Sequence, residues 1–415
     1  MQLQTILNHI EKQPGFVYAG VGWASVDRRA LLIEVRARRR SRARCSGCGR
    51  RCAGYDHQFE RRWQFVPLWG IAVYLVYAPR RVNCPVCGVV VEAVPWADRQ
   101  QQLCRSFAWF LARWAKRLSW KEVGQTFGVS WGVVLRAVEM AVEWGRAHVD
   151  LSGLYAIGID EVACHKGQRY LTVVYEIGRE VCRLLWVGSA REESTLHAFF
   201  DWLGEERTAK LRFAVTDMWQ PYLNAIAKRA KRVIHFLDRY HVVAKMNEAI
   251  DEVRRGEAKA MKTAGDEPVL AKSRWVLLKR PTRLSAGQRE RLADLLRLNL
   301  RTVRAYLLKE QFQFFWDYIR PAWAARFLDQ WCRQAMRSRI EPMKKIARSL
   351  RAHRPLLLNW FRARHYVRAG ATEGMNNRLK LITKTAYGYR SDRILEIALF
   401  HGLGRLPEPI FTHRF

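Results

Sequence analysis

From residue 154 onward the chain alternates short apolar runs with amphipathic stretches. Residues 154–159, 170–177 and 181–187 are apolar and β-rich, which predicts three strands, with Gly178 and Arg179 turning between the second and third. Helical spacing then covers 194–203, an apolar run covers 211–216, a second helical stretch covers 221–229 with Pro221 in its first turn, and a last apolar run covers 232–237. Asp160 closes the first run and Asp217 the fourth. Buried strands that end in carboxylates, joined much later by a helix-borne Glu373, can converge on a pair of divalent metal ions.

The order strand, strand, strand, helix, strand, helix, strand, helix predicts a mixed sheet of the RNase H type. In that topology the first and fourth strands lie side by side, so Asp160 and Asp217 share adjacent strand ends. Glu161 competes as the first carboxylate, but a neighbour along a strand points to the other face. From about 253 to 358 the pattern is helix-rich and basic and predicts a helical insertion. Its Trp275, Trp316, Trp323 and Trp331 fall at amphipathic spacing and are expected in the core. After it, residues 371–384 bring Glu373, Asn376 or Asn377, Lys380 and Lys384 to one helical face. That face would carry an acid, an amide and two phosphate-binding ammoniums.

Toward the N-terminal end, Gly70 separates 63–69 from the β-rich 71–77 and predicts a hairpin. Beyond Pro95, Leu103, Phe107, Phe110, Leu111 and Trp114 recur at helical spacing. Ser119 with Glu122 forms a capping box, Gly128 supplies a turn, and Ser130 can cap a second helix over 131–142. These are the parts of a helix-turn-helix. Trp131, Gly132 and Arg136 lie near the exposed leading end of the helix that would enter the major groove.

Nine cysteines in a chain of 415 residues do not read as a disulfide framework. Cys45 with Cys48, and Cys84 with Cys87, form two Cys-x-x-Cys-Gly knuckles around the hairpin, the spacing of a closed tetrahedral zinc site. Cys52 is a spare thiol beside the first knuckle, and Cys104, Cys164, Cys182 and Cys332 read as small core residues.

Charge narrows the partner. With 72 Lys+Arg against 38 Asp+Glu, the net charge of +34 favours a polyanion. The excess is clustered: Arg36, Arg38, Arg39, Arg40, Arg42, Arg44, Arg50 and Arg51 crowd one stretch, and Lys228, Arg229, Lys231 and Arg232 another. Arg38, Arg39, Arg40 and Arg42, beside the first knuckle, are candidates for gripping DNA phosphates. Residues 1–12 lack the apolar core of a targeting signal, and the apolar stretch 71–78 is too short to span a bilayer. A soluble, intracellular protein is expected, with no membrane partner.

The motifs together resemble the ISL-three family of bacterial insertion-sequence transposases across nearly the whole chain. The resemblance rests on the paired knuckles around Tyr55-Asp-His, the helix-turn-helix, Gly158-Ile-Asp-Glu161, Val215-Thr-Asp217, Asp238-Arg-Tyr-His-Val242 and Glu373-Gly-x-Asn-Asn-Arg-Leu-Lys380. It implies that Asp160, Asp217 and Glu373 are an acidic triad holding two Mg²⁺ (or Mn²⁺) ions for cleavage and strand transfer. Asp238 and His241 match a motif after the fifth strand and are expected to support the site. Asn377, Lys380, Lys384, Trp131 and Arg136 are expected to contact double-stranded DNA, both terminal inverted repeats and target.

The expected architecture is multidomain α+β. A zinc-ribbon-like module spans 1–95 with one structural Zn²⁺, a helix-turn-helix spans 96–150, and an RNase H-like catalytic domain covers 151–252 and 361–415 around an insertion over 253–360. A homodimer on DNA in the bacterial cytoplasm, associated with the nucleoid, completes the expectation. The second reading is a catalytically silent DNA-binding regulator derived from such an enzyme.

Overall fold

The computed structural model describes residues 2–98, 101–163, 170–368, 370–385, 389 and 391–410. Cys164 therefore lies outside the described residues. The chain forms two compact units, one of Met1–Val149 with Thr385–Phe415 and one of Asp150–Lys384.

In the first unit a short helix α1 (Leu3–Ile10) precedes eight strands: β1 (Phe16–Trp23), β2 (Ala30–Ala37), β3 (Ala43–Arg44), β4 (Arg51–His57), β5 (Arg61–Leu68), β6 (Ile71–Tyr77), β7 (Arg80–Cys84) and β8 (Gly88–Val91). They make two four-stranded sheets, ordered β1-β2-β6-β5 and β3-β4-β7-β8. The predicted hairpin is real. Its two-residue turn is Trp69–Gly70, both with positive φ (50° and 80°), the geometry that joins twisted antiparallel strands tightly.

That hairpin does not belong to the zinc sheet, as a single ribbon-like module would require. Trp63, Phe65, Val73 and Leu75 alternate inward and pack with Phe16, Ile33, Val35 and Trp96, while β2 pairs in parallel with β6. The zinc sheet keeps a much smaller core of Ala43, Cys45, Cys52, Val82 and Cys84.

Helices α2 (Arg105–Trp114), α3 (Trp120–Phe127) and α4 (Trp131–His148) follow. The capping box of Ser119 and Glu122 is present, and Gly128 ends α3 in the left-handed region (φ 64°), which glycine adopts without strain. Ser130 precedes α4 as its N-cap residue, without the side-chain hydrogen bond expected of it.

The second unit opens with β9 (Ala156–Ala163), β10 (Tyr170–Ile177), β11 (Cys182–Gly188), α5 (Glu193–Leu203), α6 (Glu205–Lys210), β12 (Phe213–Thr216), α7 (Gln220–Arg229) and β13 (Ile234–Leu237). One sheet of order β11-β10-β9-β12-β13 results, with β10 antiparallel to β9 and β11, and β12 parallel to β9 and β13. The first strand runs past its predicted end, so Asp160 lies inside β9, paired with Val173. Helix α6 was not expected: its sequence, Glu-Glu-Arg-Thr-Ala-Lys, has no apolar stripe and buries no side chain.

Helices complete the unit: α8 (Arg239–Ala264), α9 (Arg274–Leu278), α10 (Ala286–Leu296), α11 (Arg301–Gln313), α12 (Pro321–Arg337), α13 (Glu341–Ala352), α14 (Arg354–Ala363) and α15 (Ala371–Thr385). The expected boundary at 252/253 falls within α8, which runs unbroken because nothing between its Asp238 cap and Gly265 interrupts it. Trp316 and Trp331 are buried as expected. Trp275 and Trp323, 57% and 53% exposed, are not core residues; Arg274 and Arg326 stack on them instead.

Residues 361–415 do not stay together either. The chain leaves the second unit after Lys384, and α16 (Asp392–Leu403) packs on α4, tied by Arg146–Glu396 at 2.9 Å.

Among the described residues, each unit hides one histidine. Burial drives His235 and His401 down to about 4, with nearby His353 and Lys116 respectively adding to the shift. Both fold neutral, and unfolding returns them to an ordinary imidazole. Their contribution is therefore present above about pH 6.5 and lost as pH falls toward 4, up to ~3 kcal/mol each. Melting curves at pH 7.5 and 4.5 should show the loss, and His401→Leu should lessen it for the first unit; an equal acid shift in that variant would contradict the assignment.

Candidate active site and metal centre

The sheet register brings the two aspartates together. Ala156, Ile157 and Gly158 pair in parallel with Phe213, Ala214 and Val215, and the same register carried forward sets Asp160 level with Asp217. Asp160 is 4% exposed. Its Oδ1 accepts the Glu161 amide at 2.8 Å, while its Oδ2 accepts His241 Nε2 at 3.3 Å and the amide nitrogen of Asn376. Asp217 Oδ1 accepts the Trp219 amide at 3.0 Å.

Helix α15 delivers Glu373. It can approach β9 because Gly158 has no side chain: a Cβ there would lie 2.8 Å from Thr372 Oγ1. One turn beyond Glu373, Asn376 is buried; its Oδ1 accepts Tyr175 Oη at 2.8 Å, which fixes the amide so that its NH₂ faces Asp160. Asp238 caps α8 by accepting the Tyr240 amide at 2.9 Å and feels the charge of both Asp160 and Glu373.

Four carboxylates thus crowd one edge of the sheet, and the electrostatics register it. Burial raises the pKa of Asp217, with Asp160 adding to the rise against the Trp219 amide, His241 and Arg191. Burial likewise raises Asp238. At His241, burial alone would lower the pKa, but the Asp160 hydrogen bond and the surrounding carboxylates outweigh it and raise it. An all-oxygen donor set with surplus negative charge suits hard dications such as Mg²⁺ or Mn²⁺. The carboxylates do not converge as tightly as metal ligands: among the described residues, only four cysteine sulfurs lie within 4.8 Å of one another.

Those sulfurs are Cys45, Cys48, Cys84 and Cys87. Cys48 and Cys84 Sγ are 3.5 Å apart, close to the roughly 3.8 Å edge of a tetrahedron with zinc–sulfur bonds of about 2.3 Å. In the first knuckle the Gly47 amide donates to Cys45 Sγ at 3.3 Å, and a Cβ on Gly47 would meet Cys87 Sγ at 2.9 Å. Amide hydrogen bonds from Val86 and Cys87 lower Cys84 to about 6, whereas the hydrogen bond with Cys45, with burial and the other thiols, pushes Cys87 up to about 12. Four thiols this close cannot all ionise unless a dication joins them. Cys52 is buried in the same sheet but outside the cluster, and Cys104, Cys182 and Cys332 are buried, as read.

Comparison with known proteins identifies the family. The family model for ISL3 transposases, described as "Transposase", matches residues 157–399, more than half of the chain. The model for the "zinc-finger of transposase IS204/IS1001/IS1096/IS1165" matches residues 41–87. The chain belongs to the ISL3 family of insertion-sequence transposases.

The transposase for insertion sequence element IS1001 of Bordetella parapertussis is 31% identical over 91% of this chain and 92% of its own length. That for IS1557 of Mycobacterium tuberculosis is 29% identical over 88% of this chain and 86% of its own. A transposase acts on DNA, and the zinc-finger match together with the sulfur cluster assigns a structural zinc to the four cysteines. Among the described residues no helix is long and apolar enough to cross a membrane.

In this transposase the other residues singled out from sequence are dispersed. Arg38, Arg39, Arg40 and Arg42 are exposed between β2 and β3, with Arg38 Nε donating to Phe16 O at 3.2 Å. Trp131 and Arg136 are exposed on the first turns of α4. Asn377, Lys380 and Lys384 are exposed on α15, so of the two candidate amides it is Asn376 that meets the acids. Glu161 is ion-paired with Arg191, a residue that no sequence pattern singled out.

Proposed function

We propose that this ISL3 protein is an active DDE transposase, which binds the terminal inverted repeats of its element and cuts and joins DNA by two-metal phosphoryl transfer. The reading is carried by the register that sets Asp160 level with Asp217 on β9 and β12, with Glu373 brought alongside by the Asn376 contact. Asp160, Asp217 and Glu373 would hold two divalent cations, which when bound activate the attacking oxygen and stabilise the leaving one. In cleavage a water oxygen bonds to phosphorus and releases its proton to solvent. The P–O3′ bond breaks, and the electron pair leaves on the 3′ oxygen, which takes a proton and becomes the hydroxyl that attacks next.

His241 and Asn376 fix which lone pairs of Asp160 stay free for a cation, and Asp238 supports His241. The β11-β10-β9-β12-β13 sheet would then be an RNase H-like core interrupted by the helices between α8 and α14. Helices α3 and α4 would act as a helix-turn-helix with Trp131 and Arg136 toward the groove, while Arg38, Arg39, Arg40 and Arg42 hold phosphates. Asn377, Lys380 and Lys384 would grip the strand near the cut. Because two ends must be joined in concert, the working form would be at least a homodimer.

A cell-based excision assay tests this reading. With the gene beside its own terminal repeats on a plasmid, the parent should give joined ends and repaired donor sites, and Glu373→Gln none above background. Junctions from both proteins would remove Glu373 from the metal site. Their absence from both, with repeat binding intact, would favour a silent regulator.

A further inference from the structure

Arg191 lies on the segment between β11 and α5, inside the carboxylate edge. Its guanidinium is ion-paired with Glu161 through Nε, and its Nη2 is 3.8 Å from Asp217 Oδ2. The plane sits 4.1 Å over the Trp219 ring, with the Tyr170 ring at 5.7 Å. Trp219 therefore acts twice: its amide fixes Asp217 Oδ1 at 3.0 Å, and its indole holds the arginine beside that same carboxylate. We propose that Arg191 stands in for divalent cations at Asp217 before they bind, and then contacts the scissile phosphate once they have done so. The inference rests on the metal-site reading given above.

Three observations carry it. The Asp217 contact is longer than a hydrogen bond, so it is a charge neighbour that a metal can replace without breaking a directed bond. The Glu161 pair and the two aromatic faces keep the guanidinium in place when Asp217 turns to a metal. Finally, a guanidinium has five N–H donors in a planar fork, more than its two acidic neighbours use, and 28% of this side chain is exposed toward an incoming phosphate oxygen.

Charge balance gives the contact its purpose. A DNA phosphate approaching Asp160, Asp217, Asp238 and Glu373 is repelled by all four. During in-line displacement the negative charge on its oxygens must be met by donors already in position. Among the described residues, the cations drawn into this edge are Arg191 and His241, and His241 is committed to Asp160.

Two measurements on the full chain separate this role from a structural one. In Mn²⁺ titration without DNA, followed by the electron paramagnetic resonance of the free ion, Arg191→Gln should bind roughly tenfold more tightly, because a competing charge is gone. In single-turnover cleavage of a duplex ending in the element's own repeat, at saturating DNA and Mn²⁺, the same variant should be about 100-fold slower or worse.

Arg191→Lys keeps the charge, so its Mn²⁺ affinity should stay near the parent's while cleavage is partly restored. Weaker Mn²⁺ binding in Arg191→Gln would overturn the stand-in role, and an unchanged cleavage rate would overturn the phosphate contact. Asp217→Asn serves as a control that should lose Mn²⁺. A parent that binds no Mn²⁺ would instead count against the metal site itself.

Discussion

Asp217→Asn is expected to melt at a higher temperature than the parent in the presence of a chelator, and to cleave no DNA. The parent bears a cost at this position: burial and the neighbouring Asp160 both disfavour the Asp217 anion. An amide of the same shape keeps the acceptor for the Trp219 amide and removes the charge. For a carboxyl group whose folded pKa is raised, stability is highest while it is protonated and falls as pH rises through the folded value. The Asn advantage should therefore be largest at neutral pH and fade on acidification.

Activity should move the other way, by about 10³-fold or more, since losing several kcal/mol of metal-borne charge stabilisation costs a factor of ten per 1.4 kcal/mol. Saturating Mg²⁺ should stabilise the parent by about 2.7 kcal/mol at a hundredfold excess over its dissociation constant and leave the variant unmoved. A variant that melts lower than the parent in chelator, or gains as much from Mg²⁺, would mean that Asp217 is a structural residue.

Such a trade of stability for function explains why part of the site is visible from sequence. Asp160 and Asp217 interrupt apolar strands, where a carboxylate has no packing reason to be, and a simple hydrophobic pattern exposes them. Asn376 and Asn377 are different. They are neighbours on a helix, both compatible with the face of Glu373, and only the approach of α15 to Gly158 and Tyr175 selects the first. Arg191 gives no periodic signal, because it follows β11 and meets Asp217 beyond β12, with β10 and β9 between them in the sheet order.

In the first unit the hairpin of β5 and β6 is legible, but not the parallel pairing of β6 with β2, and that pairing is what separates the hairpin from the zinc sheet. Trp275 and Trp323 share the spacing of the buried tryptophans and differ in facing solvent, which one-dimensional spacing does not record.

That separation of the two sheets makes the consequence of zinc loss sharp. Removing zinc, by a thiol-directed mercurial with a chelator or by Cys84→Ser, is expected to unfold β3, β4, β7 and β8 while the sheet β1-β2-β6-β5 persists. The buried cluster of the zinc sheet is five residues, three of them cysteines, far too little apolar area to offset the chain entropy of its strands. Structural zinc in small modules supplies about 10–16 kcal/mol at neutral pH, so its loss dominates every other term there.

The neighbouring sheet has its own core, with Phe16, Trp63 and Tyr77 packed edge to face around Trp96. The link between the two sheets should stop the spread of unfolding. Tyr77 Oη donates to Glu92 Oε1 at 2.6 Å, and Arg80 pairs with the same buried carboxylate at 2.7 Å, so β7 is clamped at its first residue and freed beyond it. Hydrogen exchange should accordingly rise by orders of magnitude over residues 43–57 and 81–91 and change little over 61–77, with DNA affinity falling in step if the arginines flanking the first knuckle hold phosphates. Equal loss of protection in both sheets would show one cooperative module, and unchanged protection would show that the four sulfurs do not carry the fold.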